Sequence, residues 1–160
     1  MVKMMEASRV REVLDYDKST GVMTWRVKHR NGKPAGCRRK DGYYVIRIDY
    51  VLQYRHRLAW LHTYGIHPTY TIDHINGIKG DDRLANLRDV QIEINSQNQR
   101  RPKLPQTLSG YLGVQKNHGG WQGHITVKGR RHLLGTYKTP EEAHQAYIAA
   151  KRRMHEGCTI

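Results

Sequence analysis

Apolar and polar residues alternate with period two along GYYVIRIDYVLQYRHRLAW (42–60), so Tyr44, Ile46 and Ile48 fall on one side and Arg47 and Asp49 on the other. That alternation predicts a half-buried hairpin. Upstream, Val10, Val13 and Leu14 have the spacing of a short helix, followed by the turn signal DKSTG (17–21) and a strand-like VMTWRV. From His56 to Tyr64 the spacing becomes helical, with Leu58, Leu61 and Trp60 inward and Gly65 as the stop. Thr71-Ile72 then ends a strand, NGIKGDD (76–82) is a Gly-rich loop, Leu84–Val90 is a second strand, and Ile92–Gln99 reads as a helix. The middle of the chain is thus a strand–loop–strand–helix unit.

The pattern stops in RRPKLPQTLSG (100–110), where two prolines and several polar residues leave no periodicity. This is a linker and a domain boundary. Beyond it, YLGVQK, WQGHITV and RRHLLGTY predict three strands, with turns at NHGG and KGR. They lead into TPEEAHQAYIAAKRRMHEG, where Thr139 can cap, Pro140 suits the first helical position and Glu142 completes a capping box. Ala143, Ala146, Tyr147, Ala150 and Met154 form one face of that helix, and Gly157 supplies its stop. The expected class is α+β. Residues 1–99 form one domain (motif core 72–99), 100–108 a basic linker, and 109–160 a three-stranded antiparallel sheet packed on one helix.

Charge changes the picture from fold to partner. The chain carries a net +14, divided as +6 over residues 1–50, +1 over 51–100 and +7 over 101–160. Excess Lys and Arg can serve solubility alone, but a basic–neutral–basic layout suits a protein that grips nucleic acid with its flanks. Cys37 and Cys158 are the only cysteines, so a Cys-x-x-Cys zinc ribbon is excluded and a disulfide framework is not expected. No apolar run is long enough for a membrane span, and MVKMMEASRVREVL is broken by charges. A cytoplasmic protein without membrane or obligatory protein partner, acting as a monomer, is expected.

Candidate chemistry sits in IDHINGIKGDDRLANLRDVQIEINSQN (72–98). Asp73 and His74 lie at a strand exit, where they can converge with a residue early in the following helix. A carboxylate and an amide carbonyl are hard oxygen ligands suited to Mg²⁺ or Mn²⁺. An unmetallated imidazole beside them can take a proton from water at neutral pH. Taken alone, DHINGIKGDD is equally compatible with a solvated turn. His56 reads as packed or solvated, with a phosphate-binding role as the alternative, and His62 and His67 lack partners at ligand spacing.

The pattern D-H-I-N-G, N-L-R and a terminal Asn resembles the HNH endonucleases, in particular the phage and intron-encoded homing-type variant whose third motif residue is Asn. The similarity spans roughly residues 43–100 and includes HRLAW (56–60). It implies a ββα-metal core, Asp73 and Asn95 as metal ligands, His74 as general base and Asn86 as the residue that holds the loop and orients the histidine. Asn98 is the competing second ligand. Asp82 stands where such proteins often carry Asn, a departure expected to have little consequence.

Residues 109–157 resemble the AP-two/ERF DNA-binding domains through the Gly113-Val114 pair, Trp121, Ile125, LGTY (134–137) and the EEA…AY…AA helix. The resemblance implies a sheet laid in the major groove of double-stranded DNA. Strand parity then puts Trp121, Ile125 and Leu134 toward the helix, and Gln122, His124, Thr126 and Arg131 toward DNA. Gln115, Lys116, Lys128 and Arg130 are expected to add base or phosphate contacts, as are Arg100, Arg101 and Lys103 of the linker. Gln115, Thr126 and Leu133 depart from the Arg or Trp of plant members. Together the two resemblances imply a phage-borne, strand-nicking DNA endonuclease with a targeting domain. The alternative is a non-enzymatic DNA-binding or regulatory protein with an inactive HNH core.

Overall fold

The computed structural model describes residues 4–100 and 109–160, so linker residues Arg101 and Lys103 lie outside the described residues. The chain divides into two compact units, Met1–Gln91 and Ile92–Ile160.

The first unit starts with α1 (Ala7–Val13), whose Val10 and Val13 are buried, and runs directly into β1 (Leu14–Tyr16). β1 pairs antiparallel with β2 (Met23–Trp25). The turn between them is built by Asp17, whose carboxylate accepts hydrogen bonds from Ser19 and Thr20 and is thereby held down to about 2. Gly21 closes it at φ +75°, where a Cβ would lie 2.5 Å from the backbone of Asp82 and Arg83. Glycine is needed here twice over, for the left-handed conformation and for the approach of the 76–82 loop.

A three-stranded sheet follows, ordered β3 (Cys37–Arg38), β4 (Tyr44–Ile48), β5 (Val51–Tyr54). Ile46 and Ile48 are buried and Arg47 is exposed, as period-two alternation predicts. α2 (Arg55–Tyr64) buries Leu58, Ala59 and Leu61 and ends on Gly65 at φ 76°. β6 (Thr71–His74) and β7 (Leu87–Val90) pair antiparallel, with Asp73 opposite Arg88 and His74 opposite Leu87. Leu84–Asn86, expected as the start of a strand, is a 3-10 turn, drawn tight by the Asn86 N–H donating to Arg83 O. The apolar core joins α1, the β1–β2 pair, the three-stranded sheet, α2 and the β6–β7 pair through Val10, Leu14, Met23, Ile46, Leu58, Ile72 and Leu87.

The second unit contains α3 (Ile92–Gln97), two residues shorter than the spacing predicts. It continues with a sheet of β8 (Val114–Asn117), β9 (Gly120–Val127) and β10 (Arg130–Tyr137), with β9 central. α4 (Pro140–Met154) packs on this sheet, and its capping box between Thr139 and Glu142 is fully formed. Ala143, Tyr147 and Ala150 are its buried face. Gly157 does not end the helix, which is capped at His155. A Cβ at Gly157 would sit 2.2 Å from Ile94 O, so glycine is there to let α3 approach.

Candidate active site

Successive residues of a strand point to opposite sides, and that parity separates the adjacent Asp73 and His74. Asp73 meets its cross-strand neighbour: Oδ2 accepts from Arg88 Nε at 2.9 Å and from Nη2 at 2.8 Å. His74, 4% exposed, places Nε2 at 2.7 Å from Asp82 Oδ1. Asp82 has no solvent exposure, and its Oδ2 accepts from Arg55 Nε at 2.6 Å. Arg55 opens α2, donates Nη2 to Gly80 O at 3.0 Å and lies 3.8 Å over the Tyr44 ring. Tyr16 donates its hydroxyl to Asp82 O at 2.7 Å, and burial of the ring pushes that phenol well above its usual range. Asp82 is therefore gripped from β1, α2 and β6 together.

His56 completes the group. Its ring lies 5.2 Å from that of His74, edge to face, and its buried Nδ1 has no hydrogen-bond partner. Burial, reinforced by His74, pushes His56 down to about 4, so the ring is neutral at pH 7 and keeps a lone pair. One ligand atom each from His56, His74 and Asp82 lie within 4.8 Å of one another, the spacing of a metal-binding triad. The orphaned Nδ1 fits that use, because a buried imidazole nitrogen without a partner is costly unless something coordinates it. Two imidazoles and one carboxylate suit Mn²⁺ or another transition ion better than Mg²⁺, which prefers oxygen.

Two expectations need correction. His56 is neither a solvated nor a merely packed residue of α2, and Asp82 is not inconsequential: both are buried members of the cluster. The available signal was Arg55-His56 opening a helix, with an acid eight residues beyond His74 across a Gly-rich loop.

Asn86 pins that loop. Its Oδ1 accepts from Asn76 N at 2.9 Å, and Nδ2 donates to Asn76 Oδ1 at 3.0 Å and Asp81 O at 2.7 Å. Its carbonyl also accepts from Ile75 N, next to His74. Asn95 lies on α3 in the second unit. Asn98, the competing ligand, is buried there and accepts from the Thr159 hydroxyl.

In the second unit, strand register puts Gln115, Gln122, His124, Thr126, Arg131 and Leu133 on one sheet face, opposite the Ile125 side that packs with Tyr147 and Ala150. Arg131 Nη2 donates to Gln115 Oε1 at 2.8 Å and also contacts His124 Nε2. Partial burial, then Arg131, pushes His124 down. Lys128 lies in the β9–β10 turn at φ 48°, and Arg130 starts β10 in the open. Lys116 is on the other side: it pairs with Trp121, its Nζ 5.4 Å from that ring. Arg100 donates to Thr159.

The HNH endonuclease family matches residues 53–97, the stretch holding His56, His74 and Asp82. Protein 3.8 of Escherichia phage T7 is 36% identical over 103 residues, covering 56% of this chain and 84% of that protein. The chain belongs to the protein 3.8 family. This member carries an HNH-type nuclease core and an AP-two/ERF-like domain. The ethylene-responsive transcription factor ERF084 of Arabidopsis thaliana is 48% identical over 58 residues, 34% of this chain. The chain spans about a quarter of that factor's length, 23%. No solved structure gives a significant match. Among the described residues of this protein 3.8 relative, no helix is long and apolar enough to cross a membrane.

Proposed function

We propose that this protein is a metal-dependent endonuclease that hydrolyses phosphodiesters of double-stranded DNA and nicks one strand per event, in the manner of phage homing enzymes. The observation that supports it is His74, held at Nε2 by a fully buried carboxylate within an HNH-matching segment. With Nε2–H donating to Asp82, Nδ1 carries the lone pair that takes the proton from the attacking water. Asn86 keeps the 76–81 loop from moving the strand that bears His74. The cation, Mg²⁺ or Mn²⁺, supplies charge neutralisation at the scissile phosphate. Asp73 and Asn95 are its proposed ligands, on the strength of the motif. Gln115, Gln122, His124, Thr126 and Arg131 are the proposed base-reading face, with Lys128 and Arg130 on phosphates. Lys116, Arg100, Arg101 and Lys103 are proposed phosphate contacts outside that face. The enzyme would act as a monomer inside a phage-infected cell.

A second placement of the cation is favoured by the His56, His74 and Asp82 spacing. His74 would then be a ligand, and another group would take the proton. Supercoiled plasmid with Mg²⁺ or Mn²⁺ tests the function: wild type yields open circles, while His74→Ala and Asp73→Ala do not. Intact plasmid with every metal and every phage or host DNA would sink the nuclease reading. Titration of Mn²⁺ into His56→Ala and Asn95→Ala separates the two placements, because only the true ligand's loss weakens binding.

A further inference from the structure

The outer face of the β3–β4–β5 sheet in the first unit is turned away from buried Ile46 and Ile48 and borders the His74 cluster. Register puts Cys37, Val45 and Tyr54 in one row across it, and Arg47 and Leu52 in the next. Of these, Val45 is buried, Arg47 and Leu52 are exposed and Tyr54 is 36% exposed. At the far end of the β4–β5 hairpin, Tyr50 is 96% exposed and held at φ 65°. A bulky residue in the left-handed region is strained, and strain of this kind concentrates where the side chain is used. The tip is held in place: Arg9 Nε and Nη2 each donate to an Asp49 carboxylate oxygen at 2.8 Å.

Cations lie over this face. Arg39 sits 5.8 Å above the Tyr54 ring and Lys79 4.9 Å above the Tyr43 ring. Tyr54 in turn stacks on His56, and Tyr43 contacts both His56 and His74 at 5.3 and 5.9 Å. From Tyr54, beside the histidines, to Tyr50 at the hairpin tip is about 14 Å along β5 at the usual rise per residue. The chain from Lys18 to Lys40, which includes β3, has eight Lys or Arg and no acid. Arg39 does pair with Asp41 at 3.1 Å, but such an exposed pair is weak and exchanges readily for a phosphate.

We propose that this face is a second DNA-docking surface, on which Arg39, Arg47 and Lys79 hold phosphates while Tyr54 and Tyr50 contact bases or sugars, guiding the duplex to His74. Cations interleaved with exposed rings are the chemistry that tracks a nucleic-acid strand. The surface takes its partner from the nuclease reading above, but its test does not depend on cleavage.

Binding of the full-length protein to a fluorescent duplex is measured from 50 to 300 mM salt. Arg39→Ser with Arg47→Ser should weaken binding at least tenfold and reduce the log–log salt slope by about 1.8, at about 0.9 per phosphate contact. Tyr50→Ser should weaken binding severalfold with the slope unchanged. The control is Arg152→Ser with Arg153→Ser, which removes equal charge from exposed positions of α4. A sheet double variant that binds like wild type, or no worse than the control, overturns the proposal. Circular dichroism verifies that each variant is folded, and if either sheet arginine proves structural, Arg→Lys substitutions should restore the slope. If the wild type binds with a steep slope yet cuts nothing, the nuclease reading fails and the surface stands. If it cuts while the sheet variant keeps its slope, the reverse holds.

Discussion

His74 Nε2 and Asp82 Oδ1 are 2.7 Å apart, and Asp82 has no contact with solvent. The carboxylate is balanced by Arg55, so an imidazole, an acid and a guanidinium share one enclosed space.

Asp82→Ala should be severe. It leaves Arg55 buried without its counter-ion, a change that costs about 3–5 kcal/mol. Urea unfolding should show the midpoint falling with no change in slope. Asp82→Asn keeps the shape and a partner for His74, and should lose less stability while still slowing cleavage. Equal stability of Asp82→Ala and wild type would contradict the buried network.

His74→Ala should abolish nicking by at least about 10²-fold, the usual minimum for losing a general base. Its fold should survive, since Asp82 keeps Arg55. Plasmid relaxation and thermal melting, measured on the same sample, separate these effects. A variant that nicks at the wild-type rate would return the 72–82 segment to a polar turn.

Metal choice reports on the ligand set. After chelation, Mg²⁺ should restore activity as well as Mn²⁺ if oxygen ligands hold the cation. If His56 and His74 hold it, Mn²⁺ should restore activity and Mg²⁺ should not. Relaxation rates in a metal series make the comparison.

Gly21→Ala should destabilise by about 1–3 kcal/mol, because φ +75° and a 2.5 Å approach to Asp82 both exclude a Cβ. Cleavage should fall with it, since the displaced backbone is that of the residue holding His74. As a contrast, Thr139→Ala should cost about 1 kcal/mol by removing a helix cap, without altering nicking chemistry.

Acid should weaken the first unit through His62. Burial pushes this imidazole below its ordinary value, so the folded state binds fewer protons than the unfolded chain. The contribution is present above an unfolded pKa of about 6.5 and is lost as pH falls through that value toward the lower folded one. Urea midpoints between pH 7.5 and 5 should drop, and His62→Gln should flatten part of the fall.

The elements legible in the sequence were those written in short-range pattern. The β4–β5 hairpin follows from alternation between Tyr44 and Ile48, and α4 from Thr139, Pro140 and Glu142. The shared face of Gln122, His124 and Thr126 was likewise legible from parity. Asp82 was not, because its burial is decided by Arg55, 27 residues upstream, and by the close approach of Gly21. The side of β8 that Lys116 takes depends likewise on register against Trp121, which no local pattern specifies.

The grip on Asp82 also sets the order in which the His74 cluster can form. Its holders, Tyr16, Gly21, Arg55 and His74, all precede it in synthesis, so the cluster cannot close until residue 82 has left the ribosome. A copy that ends before residue 82 lacks the enclosed carboxylate that steadies the imidazole. The imidazole and its carboxylate thus come together only once β1, α2 and β6 are all in place.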